Sequence, residues 1–140
     1  MLRIDDSRAP IYCYWFAEPG AAVDYDKLML AIDDVIARDE PYAIMVNGEE
    51  GVVPEARMLR RLAGWLKRHR EAMRRNALGV AVITMNPVKR GVVRTVLWME
   101  PSPIPCEVFR DEASALEWLE RKVARAVSEP PAASGLKSVP

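Results

Sequence analysis

Apolar residues along this chain fall into short continuous blocks that alternate with longer stretches of helical period. The aromatic-rich block at 11–17 begins after Pro10 and is broken by Glu18, Pro19 and Gly20, so it reads as a strand. Blocks at 42–46 and 78–84, and a shorter one at 107–109, read the same way, and residues 1–6 suggest a short first strand. Leu28, Ala31, Ile32, Val35 and Ile36 follow the i, i+3, i+4 spacing of an amphipathic helix, with Asp24 or Asp26 as its cap. Pro54 suits the first turn of a second helix that runs to about Arg75 and carries Met58, Leu59, Leu62, Leu66 and Met73 on one stripe, with Asn76 as its stop. Asn86 and Pro87 open a third helical stretch to about Met99. Pro101, Pro103 and Pro105 force an extended connection. Asp111 is placed to cap a last helix through about Val127, with Glu112 in its first turn.

Strands alternating with helices predict an α/β fold: a four- to five-stranded sheet, mixed or mostly parallel, with helices packed on it. A hairpin between residues 1–6 and 11–17 makes it mixed. The chain of 140 residues suits one domain with one substantial core. That domain spans 1–127, and 128–140, rich in proline and serine, reads as a disordered tail.

The order of elements over roughly residues 10–127 resembles the SpoIIAA-like family, the group near the STAS and CRAL-TRIO-type domains. The resemblance is concentrated in the ending Val108-Phe-Arg-Asp-Glu-Ala-Ser-Ala-Leu-Glu-Trp-Leu119, a strand, an acidic residue and an Ala-x-x-Trp-Leu helix. It implies a small regulatory or binding domain and brings no enzyme activity. STAS proteins that antagonise anti-sigma factors carry a phosphorylatable Ser or Thr where the second α/β loop meets its helix. The matching stretch here, 47–55, contains neither, so no functional residue carries over.

Lys+Arg and Asp+Glu both number 20, so the molecule has no overall field to attract nucleic acid or anionic lipid. Cys13 and Cys106 sit in apolar runs and make neither a disulfide framework nor a metal pattern. The apolar runs are too short and interrupted to cross a bilayer, and the start lacks a signal-peptide hydrophobic region. The expectation is a cytoplasmic protein without cofactor, metal or catalytic residues.

Charge is nonetheless segregated. Arg57, Arg60, Arg61, Lys67 and Arg68 crowd the second helix, whereas residues 24–40 are acidic. This is either a docking face for an acidic partner or a solvated outer face. Nucleic acid is disfavoured because no aromatics interleave with the arginines. Asn47, Glu49 and Glu50 lie in the loop after the second main strand, and Asn86, Lys89 and Arg90 lie after the third. Both loops leave carboxyl ends of strands, where open α/β sheets bind ligands at switch points, so they form a candidate polar cleft or else plain connections. The two glutamates repel phosphate and suit a hard cation instead. His69, the only histidine, reads as merely exposed. The aromatic strand 11–17 and the apolar stretch 92–99 predict homodimerisation through one surface or the other.

The reading that results is a non-enzymatic interaction module that binds an as yet unidentified protein partner. The alternative is a small-molecule or lipid-binding domain with a cavity beneath the helices.

Overall fold

The computed structural model of the protein describes residues 1–102 and 104–128. The elements in chain order are β1 (Leu2–Asp5), β2 (Ile11–Phe16), α1 (Val23–Ala37), β3 (Tyr42–Asn47), α2 (Ala56–Arg68), α3 (Arg70–Asn76), β4 (Ala77–Ile83), α4 (Pro87–Met99), β5 (Cys106–Phe109) and α5 (Glu112–Ser128). They form a five-stranded mixed sheet whose spatial order is the sequence order, β1-β2-β3-β4-β5. β1 is antiparallel to β2, with Leu2 opposite Phe16 and Asp5 opposite Cys13, and the remaining pairs are parallel. The expected first strand and mixed α/β sheet are therefore both present. Pro103 and residues 129–140, most of the expected tail, lie outside the described residues, and Ser128 closes α5.

A parallel sheet that grows in one direction through right-handed crossovers places every crossover helix on one face. α1, α2 and α3 pack there: Leu28, Met29, Ile32, Val35, Met58, Trp65 and Met73 meet Tyr12, Tyr14, Phe16, Tyr42, Ile44 and Val46. The opposite face presents Ile11, Cys13, Ala43, Met45, Ala81 and Ile83, and α5 covers it with Ala115 and Leu119. Small residues let α5 come close. A Cβ at Gly79 would stand 3.2 Å from the Trp118 ring, so glycine there makes room for the indole.

Two expectations are corrected. The aromatic strand does not offer an exposed face for pairing with a second copy. β1 occupies its outer edge, helices cover both faces, and Tyr12, Cys13, Tyr14 and Phe16 are all buried. The long second helix is two helices, α2 and α3. The backbone leaves helical dihedrals at His69 (φ −100°, ψ 6°), whose side chain turns to Asp33 on α1 with Nε2 2.9 Å from Oδ1. That imidazole is 26% exposed and lies edge-on to Trp65, so it is not the free surface group its context predicts.

The expected cap of the last helix is present: Asp111 Oδ1 accepts from the Ser114 N–H at 2.7 Å. Asp24 does not cap α1 in the usual way. It sits in the first turn, buried, and accepts from Ala21 N (3.1 Å) and the Met1 ammonium (2.7 Å). No helix among the described residues is long and apolar enough to cross a membrane.

Leu119 is fully buried, so Leu119→Ala is expected to lower the unfolding free energy by about 2–5 kcal/mol in denaturant titration. The bonds from Ser114, backbone first, hold the Asp111 carboxyl below its ordinary value of 3.8. A depressed folded pKa contributes stability above the unfolded value, and that stability is lost as pH falls through the folded one. Asp111→Ala should therefore melt at a lower temperature than wild type at neutral pH, with the gap closing as pH drops below 3.8.

Candidate functional site

The loop after β3 and the segment after β4 do meet at one end of the sheet, but they close on each other instead of framing a cleft. Gly48 N donates to Ile83 O at 3.0 Å. The Lys89 ammonium donates to the carbonyls of Gly48 (2.8 Å) and Glu49, and a Glu49 carboxylate oxygen accepts from Met85 N. Asn86 caps α4 by accepting from Val88 N (2.8 Å) and Lys89 N (3.4 Å). Asn47 accepts from Glu49 N and donates to Glu112 Oε2 at 2.8 Å, and Trp15 Nε1 donates to the same oxygen at 2.6 Å. Glu112 thus ties the start of α5 to the ends of β2 and β3. Glu50 is exposed, and Arg90 turns away toward β5, where it lines a groove with Arg94, Glu107 and Arg110.

The switch-point argument fails for a topological reason. Ligand crevices open where strand order reverses and neighbouring helices diverge to opposite faces. From β2 to β5 the order never reverses, so the loops run side by side and seal the rim. Gly48 and Gly51 bracket a turn in which Gly51 N donates to Gly48 O at 3.2 Å, with no positive φ at any described glycine. A Cβ at Gly51 would come 2.7 Å from the Phe16 ring. Among the described residues no group of three or more His, Cys, Asp or Glu side chains is placed to hold a metal ion.

The charged helices are partly explained by each other. Asp26 on α1 pairs with Arg61, Asp33 accepts from Trp65 Nε1 (2.7 Å) and faces His69, and Asp39 lies 3.8 Å from Arg75. Arg70 pairs with the buried Glu100 at the end of α4. Of the predicted docking residues, Arg61 is therefore already engaged. Arg57, Arg60, Lys67 and Arg68 remain exposed on the outer face of α2, and none has a carboxylate within 4 Å among the described residues.

The inner faces of these same helices border an apolar space of the kind that the alternative reading expects beneath the helices. A cavity of about 210 Å³ lies between the sheet and helices α1, α2 and α4, lined by Ile32, Ile44, Leu62, Trp65, Val80 and Val96 among others. Val92, Val93 and Leu97 of α4 also face it, so most of the apolar stretch expected to mediate dimerisation points inward. Trp98 does not; it is 83% exposed. The periodicity of each helix marks its buried side but not whether facing side chains meet, so the cavity was not readable residue by residue.

Of the two cysteines, Cys13 is buried under α5 and burial raises its thiol pKa. Cys106 lines the cavity, and burial pushes its thiol up to about 11. Both are therefore mostly protonated at neutral pH, which slows but does not abolish their reaction with electrophiles.

The sheet order, the single antiparallel edge strand and the closing helix together make a SpoIIAA-like α/β fold. Among solved structures, a protein of the DUF3478 family with a SpoIIAA-like fold from Shewanella loihica PV-4 aligns with TM-score 0.55 at 16% identity, over 85% of this chain and 92% of that one. A chain from the complex of the diguanylate cyclase SiaD with its activator SiaC, from Pseudomonas aeruginosa, aligns with TM-score 0.50 at 9% identity, over 78% of this chain and 93% of that one. No family model matches the sequence, and no curated protein matches it significantly.

Lys89 joins α4 to the loop after β3. Lys89→Met should cost about 1–2 kcal/mol of stability, because two carbonyls lose a charged donor. Faster amide hydrogen exchange confined to residues 48–51 would accompany it.

Proposed function

We propose that this chain is a cytoplasmic, non-enzymatic interaction module that docks an acidic surface of a partner protein on the outer face of α2. The observation that carries this reading is the row of exposed cations, Arg57, Arg60, Lys67 and Arg68, left over after Asp26 has taken Arg61. In a chain of formal net charge +0, such a row is a local field that steers an oppositely charged partner without attracting polyanions at large. A fold shared with a chain from an activator–enzyme complex accords with this reading. So do the two protonated thiols and the imidazole already engaged by Asp33, since none of these groups is poised as a nucleophile or free base.

A second reading is favoured by the cavity beneath α1, α2 and α4: the domain holds a small apolar ligand there. The two readings are compatible, because α2 turns its arginines outward and Leu62, Trp65 and Leu66 inward.

Affinity capture from native lysate tests the first reading. Wild type should retain a defined acidic protein that elutes as salt is raised, and Arg57→Glu/Arg60→Glu/Arg68→Glu should lose it while keeping its circular dichroism and melting temperature. Equal capture by the triple variant, or capture of no specific protein, would refute the α2 interface. Strong heparin retention that fails in the variant would instead point to a polyanion. Self-association, in this reading, uses the side of α4 that carries Trp98, whose side chain is 83% exposed. Light scattering should give twice the monomer mass for wild type at high concentration and the monomer mass for Trp98→Ala.

A further inference from the structure

Resting on the ligand-binding reading above, we propose that the cavity, which is open to solvent on one side, prefers a compact, uncharged, hydrocarbon-rich ligand of about eight carbon atoms over carboxylates, phosphates and long acyl chains.

Size comes first. A dry apolar cavity of about 150 Å³ accepts benzene, six carbons. Scaling by volume, 210 Å³ holds about eight carbons, half of a typical membrane acyl chain. Polarity is the stronger constraint. The side-chain polar groups on the cavity wall, apart from the Cys106 thiol, already have partners within the protein. The Tyr25 hydroxyl donates to Val52 O at 2.6 Å, and Trp65 Nε1 donates to Asp33 at 2.7 Å. Thr84 Oγ1 accepts from Asn86 N at 3.1 Å, and Ser102 Oγ donates to Ile104 O at 2.8 Å. The Lys89 ammonium is held by Gly48 O and Glu49 O, and drawing it toward an anionic ligand would unpick the sealed rim of loops. A charged group drawn into the apolar part of the cavity finds no free partner on its wall and loses hydration, whereas apolar atoms gain contact there. The one remaining wall group is the Cys106 thiol, protonated and weakly polar.

The thiol supplies a local reporter. The experiment uses the full chain with ethylbenzene, octanoate and hexadecanoate as probes, reading melting temperature, Trp65 emission and the rate of Cys106 alkylation by N-ethylmaleimide. Ethylbenzene at ten times its Kd is expected to raise the melting temperature by about 4 °C. It should also slow Cys106 alkylation several-fold, whereas the two carboxylates leave both unchanged. Val96→Phe, which fills the cavity from α4, should stay folded and lose the ethylbenzene response. Tighter binding of octanoate or hexadecanoate, with Cys106 protected, would overturn the assignment of ligand class and leave the cavity reading standing. No response to any probe would remove the cavity reading itself. Ethylbenzene binding that neither protects Cys106 nor responds to Val96→Phe would place the ligand elsewhere and overturn the proposal. If Val96→Phe fails to fold, Cys106 protection in wild type still decides between these outcomes.

Discussion

One constraint organises this molecule: from β2 to β5 the sheet grows in a single direction, and right-handed crossovers then have one face available to them. The other face, with Ile11, Cys13, Met45 and Ile83, is left for α5 alone to shield. Its sequence answers that demand. Ala43, Gly79, Ala81 and Ala115 are small enough for the helix to lie close, and Leu119 and Trp118 fill what remains. Glu112 then fixes the helix start by accepting from Trp15 and Asn47. The strand–acid–helix ending that stands out in the sequence is thus the second half of the core.

The same winding bears on the loops at the carboxyl ends of the strands. Without a reversal of strand order, the loops at the carboxyl ends have no reason to splay, and Lys89, Glu49 and Gly48 lock them together. Both proposed binding surfaces accordingly lie away from the strand ends, on the side that carries α1 to α4. There α1, α2 and α4 stand above a sheet face whose large aromatics, Tyr12, Tyr14, Phe16 and Tyr42, hold the helices on one side, while the smaller Val80 and Val82 under α4 leave room for the cavity.

Local patterning made most of this fold legible. Strands with continuous apolar runs, the Asp111 cap and the Pro87 helix start all reflect interactions within a few residues, and they appear where the periodicity put them. Long-range pairings did not announce themselves. His69 looked exposed because Asp33, 36 positions earlier, cannot be recognised as its partner by spacing, and the helix break at His69 followed from that same pairing. Arg61 looked like its neighbours until Asp26 was placed beside it. The loops meet at one sheet end as expected, yet Lys89 and Glu49 bond to backbone groups there, Glu50 stays exposed and Arg90 turns toward β5.

α2 connects the two functional readings physically. Its inner side forms cavity wall through Leu62, Trp65 and Leu66, and its outer side carries the exposed arginines. Its position is set by few polar ties: Asp26 to Arg61, Asp33 to Trp65, and the Arg70–Glu100 pair just beyond its end. Apolar packing of Met58, Leu62, Trp65 and Leu66 beside the cavity is the other part of what seats this helix. A ligand that filled the volume would add contacts to its inner side, and a partner preferring that seated helix would then, by linkage, strengthen ligand binding by the factor by which the ligand strengthens partner binding. The coupling needs no relay of residues, because a single rigid helix presents both surfaces.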